Sequence, residues 1–257
     1  MSSVEGLSAR QREILQRLTE QGFVSTTELA ESLGVSDMTI RRDTRELARR
    51  GAVRLVHGGG VLPHGTMHTA GFADRASEDA AAKTRIAAAC LTLISSRETV
   101  LIDAGTTSFE VAHQLPRGFQ GTIITHSAPV IQHALRLKLA GTICLGGELV
   151  LDSQAFIGEL TVSALKGLRA QTAFIGAAAV CADGIYIDRD LELPTKRAII
   201  EASERVVVVA AASKMNKSAL VHLTDFSVID IIVTDAAVPH EVARAAALAG
   251  VEIIVAE

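Results

Sequence analysis

From about Lys83 to the end of the 257-residue chain, short β-branched runs alternate with Ala-rich stretches of helical period, and this alternation narrows the fold most. The apolar runs are Thr99 to Asp103, Thr122 to Thr125, Thr142 to Leu145, Thr172 to Ile175, Val206 to Ala210, Ile229 to Thr234 and Glu252 to Val255. Between most of them lie Thr107 to Gln114, Val130 to Lys138, Glu159 to Lys166, Thr195 to Glu204 and Glu241 to Ala249. A strand that is apolar throughout must be covered on both faces, and an intervening helix returns the chain so that the next strand runs parallel. The pattern predicts an α/β domain with a mostly parallel, doubly covered sheet. In such a sheet ligands sit beyond the carboxyl ends of the strands.

The first sixty residues follow a different rule. Ile14, Leu15 and Leu18 recur at helical spacing within Arg10 to Glu20, and a second helix over Thr27 to Leu33 opens at Thr26 or Thr27 with Leu29, Ala30 and Leu33 inward. Gly34 and Val35 then turn the chain, Ser36 caps a third helix, and Gly51 is its expected C-cap. A short helix, a glycine turn and an Arg-loaded helix describe helix-turn-helix geometry, and Ala52 to His57 turning at Gly58 to Gly60 reads as a β-wing. The third helix turns Ile40, Leu47 and Ala48 inward. This leaves Asp37, Met38, Thr39, Arg41, Arg42 and Arg45 on the outer and leading surfaces, where arginine can meet guanine edges and Thr or Ser can meet phosphate. With Ser36, Thr27 on the preceding helix, and Arg54 and His57 of the wing, these are the candidate contacts to double-stranded DNA. The pattern alone also fits a small bundle with a solvated arginine face, or a protein-interaction module.

Charge decides little in total and more locally. The net charge is −4. Between Ser36 and Gly60, however, six arginines (Arg41, Arg42, Arg45, Arg49, Arg50, Arg54) face three acids (Asp37, Asp43, Glu46), a basic stripe of the kind phosphate contact requires. With seven Phe, one Tyr and no Trp, a stacking platform for single-stranded nucleic acid is not expected. Cys90, Cys144 and Cys181 are odd in number, widely spaced and set in apolar runs, so they are expected to be buried thiols in a reducing cytoplasm. No apolar run is long enough to span a bilayer, and the N-terminus lacks a signal-peptide core, so a cytoplasmic protein without membrane contact is expected. His64 and His68 have no third ligand nearby, and neither a metal nor a cofactor is expected.

Arg10, Ile14 and Leu18, followed by Ser36-x-x-Thr39-Ile40-Arg41-Arg42-Asp43 and then His57-Gly58-Gly59, resemble the DeoR family of bacterial transcriptional regulators. Thr44 departs from it, standing where the family usually has an apolar residue. Asp43 is expected to tie down an arginine rather than read a base. The resemblance continues through Leu101 to Ser108, Thr125-His126-Ser127, Leu145-Gly146-Gly147, Glu192 to Ile200, Ser213-Lys214 and Thr234-Asp235. This sensor domain is in turn similar to ribose-5-phosphate isomerase.

The resemblance implies a homo-oligomeric repressor of carbohydrate-metabolism genes that senses a small molecule, a phosphorylated sugar or related metabolite. The implied effector residues are Asp103, Gly105, Thr106, Thr107, Ser108, Thr125, His126, Ser127, Gly146, Gly147, Lys196 and Lys214. Gly105 lets backbone approach a ligand, the following hydroxyls and helix start suit an anion, and Lys214 adds a cation. Isomerisation needs carboxylates to move protons. Aligned through Ser213-Lys214, the isomerase's Asp-Gly-Ala-Asp motif falls on Ile175-Gly176-Ala177-Ala178 and its later glutamate on Lys196, so a sensor rather than an enzyme is expected. An isomerase or deaminase fused to a helical module is the rival reading. His126, Ala211 and Ala212 depart from the family's usual residues, and the carboxylate lost at Ala211 leaves Lys214 less neutralised. The expected boundaries are 1 to 62 for the winged helix-turn-helix, 63 to 79 for a linker and 80 to 257 for the sensor domain.

Overall fold

The computed structural model describes residues 7–21, 23–50, 52–56, 59–61, 71–137, 141–217 and 219–257. His57, His64, His68 and Gly51 lie outside them. The chain divides into two compact units, Met1–Gly71 and Phe72–Glu257.

The smaller unit runs α1 (Ala9–Gln21), β1 (Phe23–Ser25), α2 (Thr26–Leu33), α3 (Asp37–Arg49), β2 (Arg54–Val56) and β3 (Gly59–Val61). Leu7, Ile14, Leu18, Leu29, Ala30, Ile40, Leu47 and Val53 form its core. β3 pairs antiparallel with both β1 and β2, which is the wing. The N-cap of α2 is Ser25, one residue before the expected Thr26 or Thr27, because Ser25 keeps extended backbone and its Oγ accepts from Glu28 N–H. Helix α3 ends on Arg50 as C-cap, not on Gly51.

Thr44 is buried, and its Oγ1 donates to Ile40 O at 2.8 Å. That carbonyl already has a helical partner, so the hydroxyl bond is dispensable. Thr44→Val is therefore expected to raise the stability of this unit by up to about 1 kcal/mol, as a buried methyl replaces a hydroxyl. Urea unfolding measures it, and a loss of stability would show that the hydroxyl is required.

The larger unit runs α4 (Phe72–Ser77), α5 (Ala80–Leu91), β4 (Thr99–Ile102), α6 (Thr106–Gln114), β5 (Thr122–Thr125), α7 (Ala128–Leu137), β6 (Thr142–Cys144), β7 (Glu148–Val150), β8 (Ala155–Ile157), α8 (Glu159–Lys166) and β9 (Ala170–Gly176). It continues through β10 (Ala179–Cys181), β11 (Gly184–Ile187), α9 (Leu193–Glu201), β12 (Ser203–Val209), β13 (Val221–Thr224), β14 (Ile231–Thr234), α10 (His240–Ala249) and β15 (Glu252–Val255). Its main sheet has seven strands in the order β15-β14-β12-β9-β4-β5-β6, every neighbouring pair parallel. Side chains alternate across it. Val100, Ile102, Phe174, Val207 and Val209 enter one core with α5 and α6 residues, while Leu101, Ala173, Ile175, Val206 and Val208 enter another with α9 and α10 residues. Both faces are covered, as the apolar runs require.

Two expectations are corrected here. Residues 72 to 77, assigned to the linker for their composition, form α4 within the larger unit, held by Phe72 against Phe109 with ring centroids 5.8 Å apart. The cysteines are not uniformly buried. Cys90 is, and burial pushes its thiol up to about 12, but Cys144 is exposed and Cys181 half-buried. Cys144 lies on the edge strand β6, where an apolar run no longer implies burial.

At the amino ends of the central strands Glu98 pairs with Arg205 at 3.2 Å, and Thr172 bonds to both. Polar groups there satisfy one another. The carboxyl ends differ.

Candidate DNA interface and effector site

The recognition helix is positioned by its two ends. Gly34, left-handed at φ 63°, closes α2, and Val35 N–H reaches Ala30 O at 3.0 Å. Two residues later Ser36 Oγ accepts from Thr39 N–H and starts α3. Ile40, Asp43, Thr44 and Leu47 are its buried side. Asp43 bonds Arg10 Nε at 2.5 Å, the expected tether. Met38, Arg41, Arg42 and Arg45 follow the i, i+3, i+4, i+7 pattern of one helical face and are all exposed, Met38 at 77%. Arg49 and Arg50 both pair with Glu46, whereas among the described residues Arg41, Arg42 and Arg45 have no ion pair. This face is therefore exposed and positively charged. Asp37 and Thr27 are exposed, and Thr39 Oγ1 lies 3.0 Å from Ser36 Oγ. Arg54 lies on β2 of the wing.

In the larger unit strand order reverses between β4 and β9: successive strands step from β4 toward β6 on one side, and β12, β14 and β15 lie beyond β9 on the other. A crevice opens at the carboxyl end of such a switch point. Asp103 follows β4 directly at this point. The Asp103 carboxylate has no exposure, and it accepts from Gly176 N–H at 2.9 Å and Lys196 Nζ at 2.5 Å while standing 3.1 Å from His126 Nε2. Burial alone would raise this carboxyl, but the Lys196 ammonium and the His126 contact hold it well below the usual carboxylate range. Lys196 also reaches Gly176 O at 3.2 Å.

His126 is fixed on three sides. Its Nδ1 lies 2.8 Å from Phe156 O, so that nitrogen carries a proton. Its Nε2 faces both Ala104 N–H and Asp103 Oδ1, each at 3.1 Å. One nitrogen cannot accept from the first and donate to the second at once, so the protonation of His126 decides which bond forms. Thr125 Oγ1 donates to Ile102 O and accepts from Ser127 N–H, and Ser127 Oγ accepts from Val130 N–H. Five of the expected effector residues, Asp103, Thr125, His126, Ser127 and Lys196, are thus bonded to one another or to backbone.

The open hydrogen-bonding capacity lies at the start of α6. Gly105 is the N-cap of α6 with no side-chain cap, and Phe109 N–H makes the first helical bond, to Gly105 O. The N–H groups of Thr106, Thr107 and Ser108 thus have no partner inside the helix. Ser108 Oγ is buried without a partner among the described residues, 3.7 Å from where a Cβ at Gly105 would stand and 3.6 Å from one at Gly176. At Gly147, though not at Gly146, where a Cβ would meet open space, packing alone requires glycine. Gly146 O accepts from Thr161 Oγ1 at 2.7 Å, and a Cβ at Gly147 would strike Ile157 O and Thr161 Oγ1.

Lys214 follows β12, on the loop that Ala212 N–H pins to Asp235 Oδ1 at 2.7 Å. Its charge, with those of Arg75 and Arg189, pulls back part of the upward push that burial gives the carboxyl of Asp188, the residue after β11. Residue-level reading of the sequence passed over Asp188, Arg189 and Arg75. Arg189 is buried and bonds Asp152 Oδ2 at 2.9 Å. The signal available was the Asp-Arg-Asp run of residues 188 to 190 just before the matched Glu192 to Ile200 segment. Among the described residues no group of three or more His, Cys, Asp or Glu side chains is placed to hold a metal, and no helix is long and apolar enough to cross a membrane.

A winged helix-turn-helix whose exposed arginine face has no ion pair among the described residues, carried on the same chain as a parallel α/β unit, is the arrangement of a DNA-binding transcriptional regulator with a ligand-sensing domain. Residues 10–66 match the DeoR-like helix-turn-helix domain, and residues 78–236 match the DeoR C terminal sensor domain. The chain belongs to the DeoR family of transcriptional regulators. It is 35% identical over 234 residues to the glycerol-3-phosphate regulon repressor of Escherichia coli (strain K12), covering 91% of this chain and 92% of that protein. It is 30% identical over 239 residues to the L-fucose operon activator of Haemophilus influenzae, covering 93% and 96%. Among solved structures, ribose 5-phosphate isomerase A from Methanocaldococcus jannaschii covers 54% of this chain and 55% of its own at 13% identity, with a TM-score of 0.40.

Proposed function

We propose that the chain is a homo-oligomeric repressor of carbohydrate-metabolism genes whose operator affinity is set by a small phosphorylated metabolite bound over the start of α6. The observation that carries this reading is Ser108 Oγ, fully buried and unpartnered beside the three open N–H groups of Thr106 to Ser108. A buried hydroxyl without a partner is unfavourable, and an anion at a helix start satisfies the hydroxyl and the N–H groups together. One relative is named for a glycerol-3-phosphate regulon, which supports a phosphorylated polyol of that class. In this proposal Asp103, Lys196, Thr125, His126 and Ser127 fix the shape of the floor, while Thr106, Thr107, Ser108 and Lys214 meet the ligand. Met38, Thr39, Arg41, Arg42 and Arg45 meet base edges and phosphates. A symmetric oligomer would present paired recognition helices to half-sites about 34 Å apart.

The reading excludes catalysis. Lys196, at the position aligned with an isomerase carboxylate, is an ammonium locked onto Asp103, and Ile175 and Ala178 carry no proton-transferring group. Turnover of a pentose phosphate above background would revive the enzyme reading. For the ligand, titration calorimetry with glycerol 3-phosphate tests the wild type against Lys214→Ala and Thr106→Ala. Each is expected to weaken binding about tenfold or more, the loss of one hydrogen bond to a charged group being about 1.5 to 3 kcal/mol. Unchanged binding in both variants would remove the site assignment.

A further inference from the structure

The turn between β7 and β8 reverses the usual order of burial. Leu151 is 77% exposed and Gln154 is exposed, while Ser153, which lies between them, is 3% exposed. Ser153 Oγ is buried and has no hydrogen-bond partner among the described residues. Gln154, a non-glycine, is held left-handed at φ 51°. A turn that leaves a leucine in water, takes up strained backbone and buries a lone hydroxyl is not shaped by apolar packing, and a buried hydroxyl without a partner is unfavourable.

Contacts on both flanks hold this turn at the start of α6. Before Ser153, Asp152 O accepts from Phe72 N–H at 2.9 Å, and the Phe72 ring meets the ring of Phe109, the residue after Ser108. Arg189, itself buried, donates to the Asp152 carboxylate at 2.9 Å. After Ser153, Gln154 O accepts from Ala128 N–H at 2.9 Å, Ala155 bridges to Ser127, and Phe156 N–H donates to His126 O at 2.8 Å. Ala155 also shares a buried cluster with Ala104, the residue before the N-cap Gly105. Residues 152 to 155 thus reach the residue before Gly105 and, through Phe72, the residue after Ser108. The start of α7, the other helix beside the turn, needs nothing from Ser153. Ala128 N–H goes to Gln154 O, residue 129 is proline, and Val130 N–H goes to Ser127 Oγ. The open N–H groups are those of α6, where Ser108 Oγ is also buried without a partner among the described residues.

We propose that Ser153 is a specificity-determining residue of the effector site: with the phosphate on the N–H groups of α6, its hydroxyl pairs with a hydroxyl on the carbon skeleton that the phosphate esterifies. The assignment rests on the effector-site reading above and narrows its ligand to a phosphate ester bearing a hydroxyl, as against phosphate alone or a plain alkyl ester. A serine hydroxyl both donates and accepts, so it fits a polyol or a sugar, and it adds no charge that would bind phosphate unselectively. An analogue without the hydroxyl leaves Ser153 buried and unpaired, and a site built this way discriminates against it.

Calorimetry on the full chain compares glycerol 3-phosphate, propyl phosphate and inorganic phosphate in wild type, S153A and S108A. Wild type is expected to bind glycerol 3-phosphate about tenfold more tightly than propyl phosphate, from which both hydroxyls are missing. S153A is expected to erase that difference by weakening glycerol 3-phosphate alone, whereas S108A weakens all three. Thermal unfolding without ligand is the second readout. S153A should be no less stable than wild type, because the hydroxyl it removes has no partner among the described residues. Glycerol 3-phosphate binding that survives S153A unchanged, an equal loss for all three ligands in S153A, or a wild type blind to the missing hydroxyls would each overturn the role of Ser153 and leave the effector site in place. So would an S153A that unfolds more easily without ligand, since the hydroxyl would then serve the fold. If none of the three binds the wild type, the effector-site reading itself falls, and the role of Ser153 with it.

Discussion

Replacing Arg41 and Arg42 together with alanine is expected to abolish preference for a duplex selected by the wild-type chain from a random pool, while leaving weak binding to any duplex. Both side chains are exposed on the face that also carries Met38 and Arg45, and among the described residues neither has an internal counterion. Nothing inside the unit depends on them, so stability should be unchanged. Each guanine read bidentately by an arginine is worth about 1 to 3 kcal/mol of discrimination, so the double variant should lose about 100-fold or more in preference for the selected duplex. Arg54→Ala on the wing should behave differently, weakening all duplexes alike and reducing the salt dependence by about one phosphate contact. Competition binding at two salt concentrations separates the two. A double variant that keeps its preference would show that the arginines touch only phosphate. In that case specificity would have to come from Met38, Thr39 or Arg45.

The main sheet was legible because its strands are apolar throughout. Thr122–Thr125, Glu159–Lys166 and Glu252–Val255 coincide with the sequence expectation residue for residue, and other strands and helices differ only at their ends. What could not be read are the short elements. The pairs β7–β8 and β10–β11 involve three or four residues each, too few to show a period of two. Helix α4 is six residues long, and tertiary contacts hold it: Phe72 on Phe109, and Lys83 on its last carbonyls. The bonding of the expected site residues could not be read from the sequence. Thr125, His126 and Lys196 resemble ligand contacts, yet their polar atoms bond partners 20 to 93 residues away in the chain. Only the three-dimensional assembly shows that those bonds are already made, whereas Ser108 Oγ, at a common helix-start position, has no partner among the described residues.

The tightest of these long-range bonds should also be the most consequential. Lys196→Met leaves Asp103 with no exposure and without its ammonium, and removing one member of a buried pair is expected to destabilise the larger unit by about 3 to 5 kcal/mol. Asp103→Asn strands Lys196 in the same way. The double variant carries no buried charge at the pair, and should be more stable than either single one. Acid sharpens the test. In the wild type the Asp103 carboxyl is held below its unfolded range, so its contribution is complete above that range and is lost as pH falls toward the folded value. In Lys196→Met burial dominates and the folded carboxyl titrates above the unfolded one. The folded state then binds the extra proton, and stability relative to wild type should recover as pH falls from 7 toward 5. Denaturant unfolding of the four proteins at both pH values measures this. A Lys196→Met deficit that stays constant with pH would mean that Asp103 is satisfied by Gly176 and His126 alone. Lys196 would then hold no part of the floor.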